Sequence, residues 1–131
     1  MKQTERIAAA SGRLSHSGQD LRQRTRAFAL RIIRLYQALP KTGEAKVIGS
    51  QLLRAGTSVG AHVAEACRAK SRADFVSKID GAAQELEETL YWMDLLVDAE
   101  IVSSSKLAPL QLEASELMAI LATLSKKTRE T

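Results

Sequence analysis

His62 and Glu65 stand three residues apart in a segment of helical periodicity. That spacing sets an imidazole and a carboxylate one turn apart, where they can share a ligand or a proton. A metal site needs more donors, and the chain offers only His16 as a second histidine and Cys67 as its single cysteine. His62 therefore reads as a surface or interface histidine, and no metal is expected. Cys67 follows His62 by five residues, which turns the two side chains to different sides of a helix and leaves the thiol without an activating base. Neither a G-x-x-x-x-G-K-[ST] loop nor a G-x-S-x-G elbow is present, and Gly56 and Gly60 fall inside a helical pattern instead of between a strand and a helix. Glu85, Glu87 and Glu88 lack the Glu-x-x-His pairs with which bundles hold bridged metals, so they read as solvated or salt-bridged. The neighbours Tyr91 and Trp92 face different directions, which suits packing of one of them better than a ligand cage. With no convergent acid, base or nucleophile, the expectation is a protein that is not an enzyme, with no catalytic residues and no cofactor.

The remaining chemistry is charge. Residues 1–41 hold nine basic and two acidic residues, a balance of +7, and residues 42–72 add +3. Residues 73–101 reverse the sign to −7 with one lysine against eight acids, and residues 102–131 contribute +1, so a formal net charge of +4 hides a strongly dipolar chain. The basic candidates are Arg22, Arg24, Arg26, Arg31, Arg34, Arg54, Arg68, Lys70 and Arg72. Asp80, Glu87 and Asp94 recur every seven residues and form one acidic stripe. Two readings follow. In the first, the basic surface binds the backbone of RNA or DNA through phosphate contacts. In the second, basic and acidic helices pair within the bundle or between copies of it, and the protein is an interaction scaffold without nucleic acid. An aromatic content of 4% argues against base-stacking platforms under either reading.

These residues need elements to carry them. A chain of 131 residues with 45% apolar content makes one domain with a single core. No stretch approaches the ~18–20 uninterrupted apolar residues of a membrane span, and Met1–Gly18 lacks the apolar segment of a secretory signal. The expectation is a cytoplasmic protein with no membrane partner. Residues 1–18 read as a flexible leader and residues 19–128 as the folded domain.

From Asp20 to Leu39, Leu21, Thr25, Phe28, Ile32, Leu35 and Leu39 recur at threes and fours, with Asp20 as cap and Pro40 to Gly43 as the turn. From Glu44 to about Ala69, Ile48, Leu52, Ala55, Val59 and Val63 draw a second stripe. Gly56, Gly60 and Ala64, four apart, offer a small-residue face for close helix packing. Ser71 and Asp74 form an S-x-x-D start signal. Phe75, Ile79, Ala82, Leu86, Leu90, Met93 and Val97 follow, ending near Ala99. After a loop through Ser103–Ser105, Leu107, Leu110, Ala114, Leu117, Leu121 and Leu124 mark the last helix, with Pro109 in its first turn and a frayed polar tail after Ser125. Four amphipathic segments without strand patterning predict an all-α, antiparallel up-down-up-down four-helix bundle.

Between Gln51 and Leu96 the chain resembles the bacterial four-helix-bundle family of 23S rRNA intervening-sequence proteins. Arg54, Ala55, Ser58, Ala64, Glu65, Arg68, Lys70, Phe75, Glu85, Leu86 and Glu87 occupy corresponding places in its pattern. Gly60 stands where that family usually has Pro, Ala61 replaces Ser, His62 replaces Asn and Ala66 replaces Gly. Ser58, His62 and Glu65 are what remains of the polar motif. The resemblance implies a ring-like homo-oligomer, typically a pentamer. It also implies kinship with the accessory variability determinant proteins of diversity-generating retroelements, which bind nucleic acid and a reverse transcriptase. The expected function is thus a non-enzymatic, homo-oligomeric helical bundle with a basic surface for RNA or DNA backbone, an accessory to a nucleic-acid-processing partner.

Overall fold

A computed structural model describes residues 18–131, with side chains from Leu21 onward; the leader expected over residues 1–18 lies almost wholly outside the described residues. The described residues form four helices: α1 (Gly18–Ala38), α2 (Gly43–Ala66), α3 (Arg72–Asp98) and α4 (Ser104–Glu130). No strand occurs among the described residues. Each helix packs on the next in the chain, and α1 also meets α4, more sparingly.

The threes-and-fours stripes form the core. Phe28, Ile32, Leu52, Val59, Phe75, Ile79, Leu86, Met93, Leu117 and Leu121 are completely buried. Leu35, Ile48, Leu90, Val97 and Leu124, on the margins of the stripes, are half-buried and pack against that core. Thr25 fills its apolar gap at 1% exposure, donating its hydroxyl to the Arg22 carbonyl so that burial leaves no donor unmade.

The helix ends follow local chemistry. Ser71 caps α3, its Oγ accepting from the Asp74 amide at 3.0 Å. The acid half of the signal is displaced by one residue, because the Asp74 carboxylate accepts from the backbone N–H of Lys70. At the other end of α3, the Ile101 amide donates to the Leu96 carbonyl and the Glu100 amide to the Val97 carbonyl, both at 2.9 Å. This pair of bonds demands a left-handed residue between them, and Glu100, at φ 60°, supplies it where glycine is the usual choice.

Three boundaries differ from the sequence expectation. The first helix is already formed at Gly18, so Asp20 lies inside it instead of capping it. The second ends at Ala66, not Ala69, since the chain must reverse before the Ser71 cap and does so through tight turns (Arg68 N–H to Glu65 carbonyl, Ala69 N–H to Ala66 carbonyl). The fourth starts at Ser104, within the expected loop, which moves Pro109 into the second turn. There its missing N–H leaves the Ser105 carbonyl without the usual i+4 donor.

The tail after Ser125 is helical to Glu130. Ser125 and Thr128 are 4% and 2% exposed, continuing the inward stripe with hydroxyls that are satisfied. Ser125 Oγ donates to Asp80 Oδ1 at 2.7 Å and Thr128 Oγ1 to the Leu124 carbonyl at 2.8 Å. Arg129 closes the same cluster by pairing with the other Asp80 oxygen.

By length and composition α4 is apolar enough to cross a membrane, and only 28% of its most apolar stretch is buried in this fold. The remainder is an outward face of small and aliphatic residues, among them Ala108, Leu112, Ser115, Ala119 and Ile120.

Candidate nucleic-acid interface

Among the described residues, the basic side chains of the first half fall into two groups, those held by acids and those without an ion pair. Arg24 reaches from α1 to α4, where Nε and Nη2 bind Glu113 at 3.1 and 2.6 Å and Nη2 meets Glu116 at 3.2 Å. The hydrogen bond to Glu113 is the main reason this guanidinium holds its proton even more firmly than usual. Arg54 reaches from α2 to α3, with Nη2 on Glu88 at 2.6 Å and Nη1 on Glu85 at 3.2 Å. Arg54 in turn keeps the Glu88 carboxyl below its ordinary range, mainly by that hydrogen bond and secondarily with the Trp92 indole N–H. These pairs use Glu85, Glu88, Glu113 and Glu116 rather than the expected acidic stripe. Of that stripe, Asp80 is engaged by Ser125 and Arg129, Asp94 accepts from Gln111 at 2.9 Å, and Glu87 is exposed.

Arg22 and Arg26 face an open groove of about 580 Å³ between α1 and α2, lined also by Gln23, Ala29, Thr57, Gly60, Ala61 and Ala64. Neither makes an ion pair among the described residues. The groove is shallow-floored because the small residues let the helices approach. A Cβ on Gly56 would lie 2.7 Å from Ile32 Cγ1, inside any real contact, and one on Gly60 would lie 3.4 Å from the Thr25 carbonyl oxygen. Gly56 is buried in that contact, and Ala64 lines the groove. Helix α2 runs through both glycines without interruption.

Arg31, Arg34, Arg68 and Lys70 are exposed or half-buried at the surface. Arg72, half-buried, lines a second cleft of about 390 Å³ with Ala73, Val76, Ser77 and Arg129. The nine expected basic residues are therefore not one patch. Arg22 and Arg26 share a groove, Arg68, Lys70 and Arg72 share the α2–α3 turn, and Arg24 and Arg54 serve as cross-links between helices.

The remnant motif does not gather into a polar site. Ser58 Oγ donates back to the Arg54 carbonyl at 2.7 Å, and Glu65 is exposed. The His62 ring lies on α3, where a Cβ added to Gly81 would come within 3.0 Å of Nδ1 and Cε1. Nδ1 is buried without a hydrogen-bond partner among the described residues. No cluster of His, Cys, Asp and Glu suited to a metal occurs among the described residues.

Sequence reasoning misses Lys126, Lys127 and Arg129, which it leaves in a frayed end. Their signal is nevertheless present: Ser125 and Thr128 extend the spacing of Leu117 and Leu121, so the helix phase continues through polar residues.

The chain matches the model of the 23S rRNA-intervening sequence protein family over residues 18–123. It belongs to that family. Among solved structures it is similar to a protein of unknown function from the S23 ribosomal protein family of Bacteroides thetaiotaomicron, with 34% sequence identity and a TM-score of 0.78. That likeness covers 82% of this chain and 96% of the other. No curated protein matches the chain significantly. The family match takes in all four helices except the last turns of α4.

Proposed function

We propose that this intervening-sequence family protein is a non-enzymatic binder of the RNA or DNA backbone, acting as a homo-oligomer beside a nucleic-acid-processing protein such as a reverse transcriptase, in the cytoplasm. The observation that carries the reading is the division among the arginines. Arg24 and Arg54 are neutralised by carboxylates, whereas Arg22 and Arg26 share an open groove floored by Gly60, Ala61 and Ala64, with no ion pair among the described residues. Guanidinium forks bind two phosphate oxygens at once, and a floor of small residues lets a backbone come close.

The helices run up-down-up-down in this reading, supported by connections of only four or five residues between them. Contacts of this kind are mostly electrostatic. The dissociation constant for a mixed-sequence RNA or DNA duplex should therefore rise steeply and log-linearly with salt and depend little on sequence. Binding that ignores salt, or no binding at low salt, rejects the proposal.

A second reading, the interaction scaffold, is favoured by the outward face of α4. Between Lys106 and Lys126 its only charged residues are Glu113 and Glu116, and both are tied to Arg24. A helix face of that length whose carboxylates are already paired suits contact with further copies of the chain, in line with the ring-like oligomer, typically a pentamer, that the family resemblance implies. Self-association and nucleic-acid binding use different faces and are compatible.

A further inference from the structure

We infer that one end of the bundle, from the α2–α3 turn across to the last turn of α4, is a second phosphate-binding surface, shaped for double-helical nucleic acid. It rests on the nucleic-acid reading above and extends it to residues outside the family match, which ends at residue 123.

Asp80 organises this end. By accepting from Ser125 and pairing with Arg129 it fixes the last turns of α4 beside the first turns of α3. Arg72 and Arg129 consequently line one cleft of about 390 Å³. Lys126 and Lys127, exposed on the same turns, are thereby brought to the end that already holds Arg68, Lys70 and Arg72. Of the nearby acids, Asp74 is occupied by Lys78 and the Lys70 amide and Asp80 by Ser125 and Arg129, while Glu65 is exposed on the last turn of α2. Arg68, Lys70, Arg72, Lys126 and Lys127 make no ion pair among the described residues, and Glu130 is the one exposed acid on the last turn of α4 beside them. The opposite end differs in kind, mixing Lys41, Lys46 and Lys106 with Glu44, Asp98 and Glu100. Charge that is segregated by segment in the sequence is thus redistributed by folding into a basic end and a mixed end.

The absence of aromatics chooses the ligand form. Phe75 is the aromatic nearest the basic end among the described residues, and it is fully buried. Exposed Tyr91 sits on the C-terminal half of α3, toward the other end. Unstacked bases would have no platform here, so a ligand that keeps its bases paired and turns phosphates outward fits better. With helices ~10 Å apart, the end of the bundle spans on the order of 20 Å, a length over which a duplex presents roughly a dozen charges.

The test uses the full chain, a mixed-sequence DNA duplex of about 20 base pairs, the corresponding single strand, and anionic phospholipid vesicles. Binding is titrated across salt for the unaltered protein, for K126Q/K127Q, for K41Q/K46Q at the other end, and for R22Q/R26Q in the groove. The expected result is that K126Q/K127Q flattens the log–log salt slope by roughly 1.8, that K41Q/K46Q leaves it unchanged, and that duplex is preferred to single strand. Equal effects of the two double variants, no effect of K126Q/K127Q, preference for the single strand, or binding of vesicles in place of duplex would each overturn the inference. Loss of slope only on R22Q/R26Q would keep the nucleic-acid reading and reject this surface. No duplex binding by the unaltered protein would reject both.

Discussion

Gly56 and Gly60 have the same spacing logic in the sequence and opposite roles in the fold. A methyl at position 56 would press on the β-branched Ile32, which is itself fully buried and has nowhere to move. Gly56→Ala should therefore destabilise by about 1–3 kcal/mol despite the better helix propensity of alanine. At position 60 the nearest atom is at ordinary contact distance, so Gly60→Ala should stabilise by up to about 1 kcal/mol. Urea unfolding midpoints of the two variants read this directly, and similar shifts for both would contradict the account. Glu100 offers a third residue-level check. It holds a left-handed conformation that costs an L-residue about 1–2 kcal/mol, so Glu100→Gly should raise stability by roughly 1 kcal/mol, and a loss would mean that its side chain matters more than its backbone.

At the level of the elements, the caps and cross-links respond to pH in one direction. The Asp74 carboxyl lies below its ordinary range, first because it accepts the Lys70 amide and then because of Lys78, and the Glu88 carboxyl is lowered by Arg54. A carboxylate lowered in the folded state contributes stability that is complete above its unfolded value and disappears as pH falls through the folded one. Thermal stability should accordingly decline on acidification through about pH 4 and below. Asp74→Asn should remove part of that decline; an unchanged pH profile would show that the cap contributes nothing through its charge.

The helices themselves are legible because Phe28, Ile32, Leu52, Phe75, Leu86 and Leu117 obey a spacing that only a helix can bury on one side. What escapes is the continuation of α4. Ser125 and Thr128 are polar by type and buried by position, and their acceptors, Asp80 across the helix pair and the Leu124 carbonyl, are known only once the chain is folded. The same limit applies to Arg24 and Arg54, whose carboxylate partners lie 89 and 34 residues away in sequence. Helical phase places a side chain on a face, and the tertiary fold decides which charges remain free on it.

For the whole molecule, folding separates three surfaces: the Arg22 and Arg26 groove, the basic end, and the largely apolar outer face of α4. The last predicts self-association. Leu112, 61% exposed near the middle of that face, should lower the oligomer mass when replaced by glutamate, as read by light scattering coupled to size exclusion. An unchanged mass would place the contacts between copies elsewhere.

The claim at the centre of the account is that cations left free by the bundle hold the nucleic-acid backbone. Its most direct measurement compares the salt dependence of duplex DNA binding by the unaltered protein and by the double variant Arg22→Gln, Arg26→Gln. The expected result is a steep log–log slope that flattens by roughly 1.8 when both guanidiniums in the groove are removed. An identical slope for both proteins would contradict it and leave the arginines without a role in binding.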